Sequence, residues 1–360
     1  MRLFAVAAPG LEALVAAEVR RLPGVRDVVE VPGGVELAGQ RDLLWAAHQE
    51  LRVATRVLVR VGELEAHDFA RLRAGAARLP WRDFARRTPR VEVSASAKKC
   101  RLYHTGAIAE RVAGAVADAF GGAAPAEDAP ALDVLVRGEH DRFTFSVDAS
   151  GELLHRRGWR VDTAKASLRE TVAAALLTLV EWRPDENEPL VDPMCGAGTL
   201  VIEAALLALG RAPGATRRFA FEAWPGVGPR PLGAPAPPRP LPLILGADRD
   251  AATLELARRN GERAGVTPQV SLVHADAATL TIPATPRPGL ILTNPPYGKR
   301  LTAGPAMAAL AALARRQPRW RLAVLLPDDR AALRTLSLRP PRLRHALDNG
   351  GLRVWLNVWD

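Results

Sequence analysis

Apolar side chains recur with two different rhythms along the chain. Residues 3–8 read as a strand, residues 10–21 as a helix opened by Pro9-Gly10, and residues 25–38 as two short strands turned at Pro32-Gly33-Gly34. That is a small β-α-β-β unit. Residues 41–78 carry helical spacing broken by the apolar run Val57-Leu58-Val59-Arg60-Val61, and Val91 to Ala95 alternates like a strand. A helix is predicted from Thr105 to Phe120. After the turn-like stretch from Gly121 to Pro130, strands over Leu132 to Val136 and Arg142 to Val147 close an α+β half near residue 150.

From about residue 165 apolar strands alternate with amphipathic helices. Helices are predicted over 171–181, 199–209 and 251–264, and strands over 189–192, 242–247, 269–274, 288–293 and 321–326. This alternation predicts a doubly wound parallel sheet. The tail from Leu343 to Val358, centred on Asn349-Gly350-Gly351, predicts a terminal antiparallel hairpin. The stretch from Trp224 to Pro242 is too rich in Pro and Gly for regular structure. No internal repeat is visible.

The 360 residues leave room for more than one core, since single cores rarely outgrow roughly 250 residues. No apolar run approaches the ~20 residues that span a bilayer. The start Met1-Arg2-Leu3-Phe4-Ala5-Val6 reads as a strand rather than a secretory leader. Cys100 and Cys195 provide neither a disulfide framework nor a zinc cluster. A cytoplasmic protein without membrane anchorage or metal is expected.

The net charge of +10 suggests a polyanionic partner, although 45 of the 49 basic residues are arginine in a chain crowded with Ala, Pro and Gly. Position says more. Residues 71–111 hold eleven Lys and Arg against three Asp and Glu, whereas residues 112–155 hold two against eight. The basic stretch containing Arg86, Arg87, Lys98, Lys99 and Arg101 is a candidate for phosphate contacts, with a solvated helix face as the competing reading.

The chemistry concentrates in the second half. Leu190 to Leu200 reads as a strand, a tight turn and a helix start, with Asp192-Pro193 at the strand end, then Cys195, Gly196, Gly198 and Thr199. Glycines there let a ligand lie against the backbone, and the acid can accept from a ligand amine or hydroxyl. Val201 stands where a dinucleotide fingerprint would place its last glycine, which weakens a dehydrogenase reading. Asp248 and Asp276 follow the next two strands and could accept from a ribose diol and from an adenine amino group; either alone would more often be a helix cap. After the fourth strand comes Asn294-Pro295-Pro296-Tyr297. An exocyclic base amine is a poor nucleophile and must be oriented. The Asn294 side-chain oxygen and the Pro295 carbonyl can accept its two N–H bonds, the prolines stiffen the backbone, and Tyr297 offers a stacking face.

These residues resemble the Rossmann-like amino-methyltransferases. The stretches Arg157-Gly158-Trp159-Arg160, Ala166 to Thr171, Pro189 to Glu203, Phe219 to Gly226 and Asn294 to Leu301 narrow the resemblance to the ribosomal RNA guanine-N2 methyltransferase family typified by RlmL. The resemblance implies a ferredoxin-like region over 1–45, a THUMP RNA-binding domain over 46–152, a linker over 153–165 and a methyltransferase domain over 166–360. It also implies S-adenosylmethionine as methyl donor, held by Asp192, Pro193, Cys195, Gly196, Gly198, Thr199, Asp248, Asp276 and Asn294. Its implied target is N2 of a guanosine in 23S ribosomal RNA or a large-subunit assembly intermediate, held by Asn294 to Tyr297. A transfer-RNA guanine-N2 methyltransferase would share nearly every motif. A DNA adenine methyltransferase could use the same Asn-Pro-Pro-Tyr, and a non-catalytic RNA-binding assembly factor should show erosion of the donor loop or of Asn294. Neither is eroded here.

Overall fold

The computed structural model describes residues 1–160, 168–231, 240–296, 303–336 and 338–360. The first half runs β1 (Arg2–Val6), α1 (Glu12–Val19), β2 (Arg26–Val31), β3 (Gly34–Ala38), α2 (Leu43–Glu50), β4 (Arg56–Glu65), α3 (Phe69–Ala77), β5 (Arg90–Lys98), α4 (Thr105–Ala119), β6 (Ala131–Glu139) and β7 (Arg142–Asp148). The second half runs α5 (Glu170–Leu179), β8 (Leu190–Asp192), α6 (Thr199–Ala208), β9 (Ile244–Asp248), α7 (Ala251–Arg263), β10 (Ser271–His274) and β11 (Leu290–Thr293). Then come α8 (Ala303–Arg316), β12 (Arg321–Leu326), α9 (Arg330–Thr335), β13 (Leu343–Asn349) and β14 (Leu352–Trp359). Among the described residues no helix is long and apolar enough to cross a membrane.

The chain divides into two compact units. The first comprises Met1–Ala7, Val15–Leu154 and Arg218–Leu232, and the second Ala8–Leu14, His155–Arg217 and Gly233–Asp360. The first unit carries one seven-stranded sheet in the order β2-β3-β1-β4-β7-β6-β5, antiparallel except for the β5–β6 pair. β4 extends well beyond the apolar run that announced it. Its outer half, Gly62 to Glu65, alternates around exposed acids and pairs with β7 through a register shift between Arg60 and Gly62. The stretch from Phe219 to Trp224, which lies between two elements of the other unit, joins the core of this one. Phe221 sits edge-on to Trp45 at 4.7 Å and Trp224 edge-on to Phe84 at 4.9 Å. The residues described from 224 to 231 form neither helix nor strand, as the prolines and glycines require.

The second unit holds a sheet in the order β10-β9-β8-β11-β12-β14-β13. β10 to β12 run parallel with β8, and the terminal hairpin β13–β14 adds antiparallel to β12. Fully buried Val191, Ile291, Leu310, Leu322 and Val324 anchor its core. The chain steps outward from β8 to β9 and β10, then returns to place β11 on the other side of β8. The order therefore reverses between β8 and β11, the position at which doubly wound sheets open a crevice at their strand ends.

Candidate active site

The glycine-containing loop after β8 occupies that crevice. β8 ends at Asp192, the chain turns through Met194 to Ala197, and α6 starts at Thr199. Gly196 and Gly198 have φ of 55° and 82°, in the left-handed region that favours glycine. A Cβ on Gly198 would also lie 3.0 Å from the Ala257 Cβ, so this glycine lets α6 begin against α7. Two further bonds fix the loop: the Cys195 N–H donates to the Ala247 carbonyl at 2.8 Å, and the buried Asn260 amide donates to the Ala197 carbonyl at 3.1 Å. The Cys195 thiol is buried and burial pushes its pKa up, so it stays protonated and packs as an apolar group.

Each strand-end acid has a distinct environment. Asp192 is only 3% exposed and accepts from the Thr293 hydroxyl at 2.7 Å and the Met194 N–H at 3.1 Å. Burial outweighs these bonds, and its carboxyl is pushed up to about 7. Asp248 accepts from the Gly196 N–H at 2.9 Å and the Asp250 N–H at 2.9 Å, tying the glycine-containing loop to the end of β9. The cap of α7 is Asp250, which accepts from the Ala252 and Thr253 N–H groups, so the helix-cap role falls to Asp250 instead of Asp248. Asp276 lies two residues beyond β10 and accepts from the Ala278 N–H at 2.8 Å.

A cavity of about 390 Å³ opens between these strand ends, within the usual range for small-molecule sites. Asp192, Pro193, Cys195, Gly196, Thr199, Asp248, Asp276, Asn294, Pro295 and Pro296 all line it, and Gly198 lies one residue behind the lining. The far wall comes from Pro305, Ala306 and Ala309 of α8, an element that the sequence pattern did not announce. The Asn294 Oδ1 is inaccessible to solvent and has no hydrogen-bond partner among the described residues. A buried carbonyl oxygen without a donor is costly. Tyr297, together with Gly298 to Leu301, lies outside the described residues.

The model of the RMKL-like methyltransferase domain matches residues 157–348, and that of the RlmL ferredoxin-like domain matches residues 2–58. The chain belongs to the RMKL-like methyltransferase family. A curated relative from Syntrophotalea carbinolica, "Ribosomal RNA large subunit methyltransferase K/L", is 33% identical over 389 residues. The alignment takes in 100% of this chain and 53% of the relative, so the chain spans about half that protein's length. Among solved structures, a protein from Listeria monocytogenes described as a predicted N6-adenine-specific DNA methylase has a TM-score of 0.86 at 28% identity, covering 100% of this chain and 96% of its own. SMU.472, described as a methyltransferase and solved with SAH, has a TM-score of 0.87 at 27% identity, covering 99% and 97%. TrmN from Thermus thermophilus, 22% identical over 99% of this chain and 98% of its own with a TM-score of 0.72, shares the fold.

In this RMKL-like domain a buried ionic network supports the cavity from behind. Arg160 donates to the Leu168 carbonyl at 2.8 Å and to the Thr199 hydroxyl, joining two residues of the cavity wall. Its Nε lies 3.1 Å from Glu170, and Arg157 lies 3.4 Å from Glu203 on α6. Burial pushes Glu170 up to about 7 and Arg160 down, so desolvation exceeds their mutual attraction in both partners. Site reasoning from sequence passed over Arg160, Asn260, Thr293 and Leu168 as individual residues. Thr293 had a usable signal, being the one polar residue in the apolar strand Leu290-Ile291-Leu292-Thr293.

In the first unit, Arg86, Arg87, Lys98, Lys99 and Arg101 are all exposed. Arg87 pairs with Asp128 at 2.6 Å and Arg101 with Asp141 at 3.6 Å, so acids offset part of this basic stretch.

Proposed function

We propose that this chain transfers a methyl group from S-adenosylmethionine to N2 of a guanosine in large-subunit ribosomal RNA. The observation that carries the reading is Asn294, which lines a cavity rimmed by three strand-end acids and whose buried Oδ1 has no partner among the described residues. When bound, the donor supplies a methyl group on a positively charged sulfur. Asp248 keeps acceptor capacity for a ribose diol after its two backbone bonds, Asp276 faces the same space, and Asp192 can accept from the donor's amino group. Asn294 Oδ1 accepts one N–H of the exocyclic amine and the Pro295 carbonyl the other, turning the nitrogen lone pair toward the methyl group. Pro295 and Pro296 hold that backbone stiff, and Tyr297 stacks on the extruded base. Such positioning is worth up to ~7–11 kcal/mol of barrier. Residues 46–152 act as a THUMP domain that contacts RNA phosphates through the basic stretch.

The same acceptors would suit the amine of adenine, and the Listeria relative's description names that base. Nucleoside analysis decides between them. Total RNA from a strain lacking the gene, methylated by the purified protein with labelled donor, should yield labelled N2-methylguanosine in the 23S fraction. Label in N6-methyladenosine, or in the transfer-RNA fraction alone, would overturn the base or the substrate respectively.

A further inference from the structure

Among the described residues, one aromatic side chain stands out in solvent. Tyr103 is 66% exposed, whereas the Trp and Phe rings of the first unit are buried or half-buried. It lies in the turn from β5 to α4, within Lys98-Lys99-Cys100-Arg101-Leu102-Tyr103-His104, a run with three cations and no acid. The turn is held firmly. Leu102 takes the inward position at 6% exposure, which sends Tyr103 outward. The Arg101 N–H donates to Asp141 Oδ1 at 2.6 Å, and the same carboxylate pairs with His67 at 3.3 Å and with the Arg101 guanidinium at 3.6 Å. The Tyr103 ring is braced by the His104 ring, with centroids 4.2 Å apart and planes 38° apart.

An exposed, braced aromatic beside several cations is the arrangement that receives an unpaired base and its flanking phosphates: the ring stacks and the cations neutralise. An acidic protein segment would use the cations and leave the ring idle. We propose that this turn is a stacking platform for a single-stranded segment of RNA, with one base on Tyr103 and the adjoining phosphates on Lys98, Lys99 and Arg101. The inference deepens the RNA reading above and rests on it.

The test compares binding of the full chain to a short oligoadenylate and to an abasic oligomer of equal length, which keeps the phosphates and lacks the bases. Tyr103→Ala should weaken oligoadenylate binding about ten-fold and leave abasic binding and the salt slope unchanged. Tyr103→Phe should restore wild-type affinity. Equal affinities of wild type and Tyr103→Ala for oligoadenylate, or equal losses on both oligomers, would overturn the platform. Tyr103-dependent oligoadenylate binding in a protein that methylates no RNA would sink the guanine reading and leave the platform standing. RNA methylation with Tyr103-independent binding would do the reverse.

Discussion

At the level of single residues, Asp192 is a buried acid whose charge is opposed by desolvation. Its carboxyl is buried at the end of β8 with a pKa of about 7, so near neutral pH it changes charge inside the cavity. Because the folded value lies above the ordinary 3.8 of an aspartate, its contribution to stability is complete below about 4 and is lost as pH rises through about 7. A bound ammonium reverses the balance, since only the carboxylate pairs with it. Affinity for S-adenosylhomocysteine should therefore fall by up to about ten-fold per pH unit as pH drops below about 7, and Asp192→Asn should flatten that profile. Calorimetry between roughly pH 6 and pH 8 measures both. A wild-type profile as flat as that of the variant would remove Asp192 from the donor's amino group.

At the level of elements, the Arg160–Glu170 pair fastens the segment before α5 to the start of α6. Arg160→Met should leave Glu170 buried without its cation and lower the unfolding free energy by about 3 kcal/mol at alkaline pH. The loss should shrink in mild acid, because Glu170 titrates near 7 and takes up a proton. Adding Glu170→Gln should recover most of it. Urea unfolding at two pH values reads all three outcomes, and a pH-independent loss would deny the pair this role. The strands and helices that flank the cavity, α8 excepted, were legible from their periodicity, and the Asn294 and Asp192 motifs from chemistry. The elements that escaped had physical reasons. α8 opens with Ala303-Gly304-Pro305, a weak helix start, and carries Ala308, Ala309 and Ala312 outside its buried Met307, Leu310, Ala311 and Leu313, so no charged face borders the stripe. α9 has six residues, less than two turns. The division of labour between Asp248 and Asp250 needed the hydrogen bonds, because two acids two residues apart serve equally well as caps on paper.

At the level of the whole molecule, the proposed RNA contacts and the proposed chemistry fall on different sheets. The basic stretch and Tyr103 lie in the first unit, whereas the cavity and Asn294 lie in the second. Recognition of RNA and chemistry on one base should therefore respond to different substitutions. On the proposed reading, donor affinity comes from the glycine loop and the strand-end acids and RNA affinity from many phosphate contacts, so neither should depend much on Asn294. The most direct test is single-turnover methylation of RNA from a strain lacking the gene, by wild type and Asn294→Ala, with donor and RNA affinities measured in parallel. The variant should lose at least about a hundred-fold in rate while both affinities stay within a few-fold of wild type. An Asn294→Ala protein that methylates at the wild-type rate would place the reacting amine elsewhere and contradict the catalytic assignment.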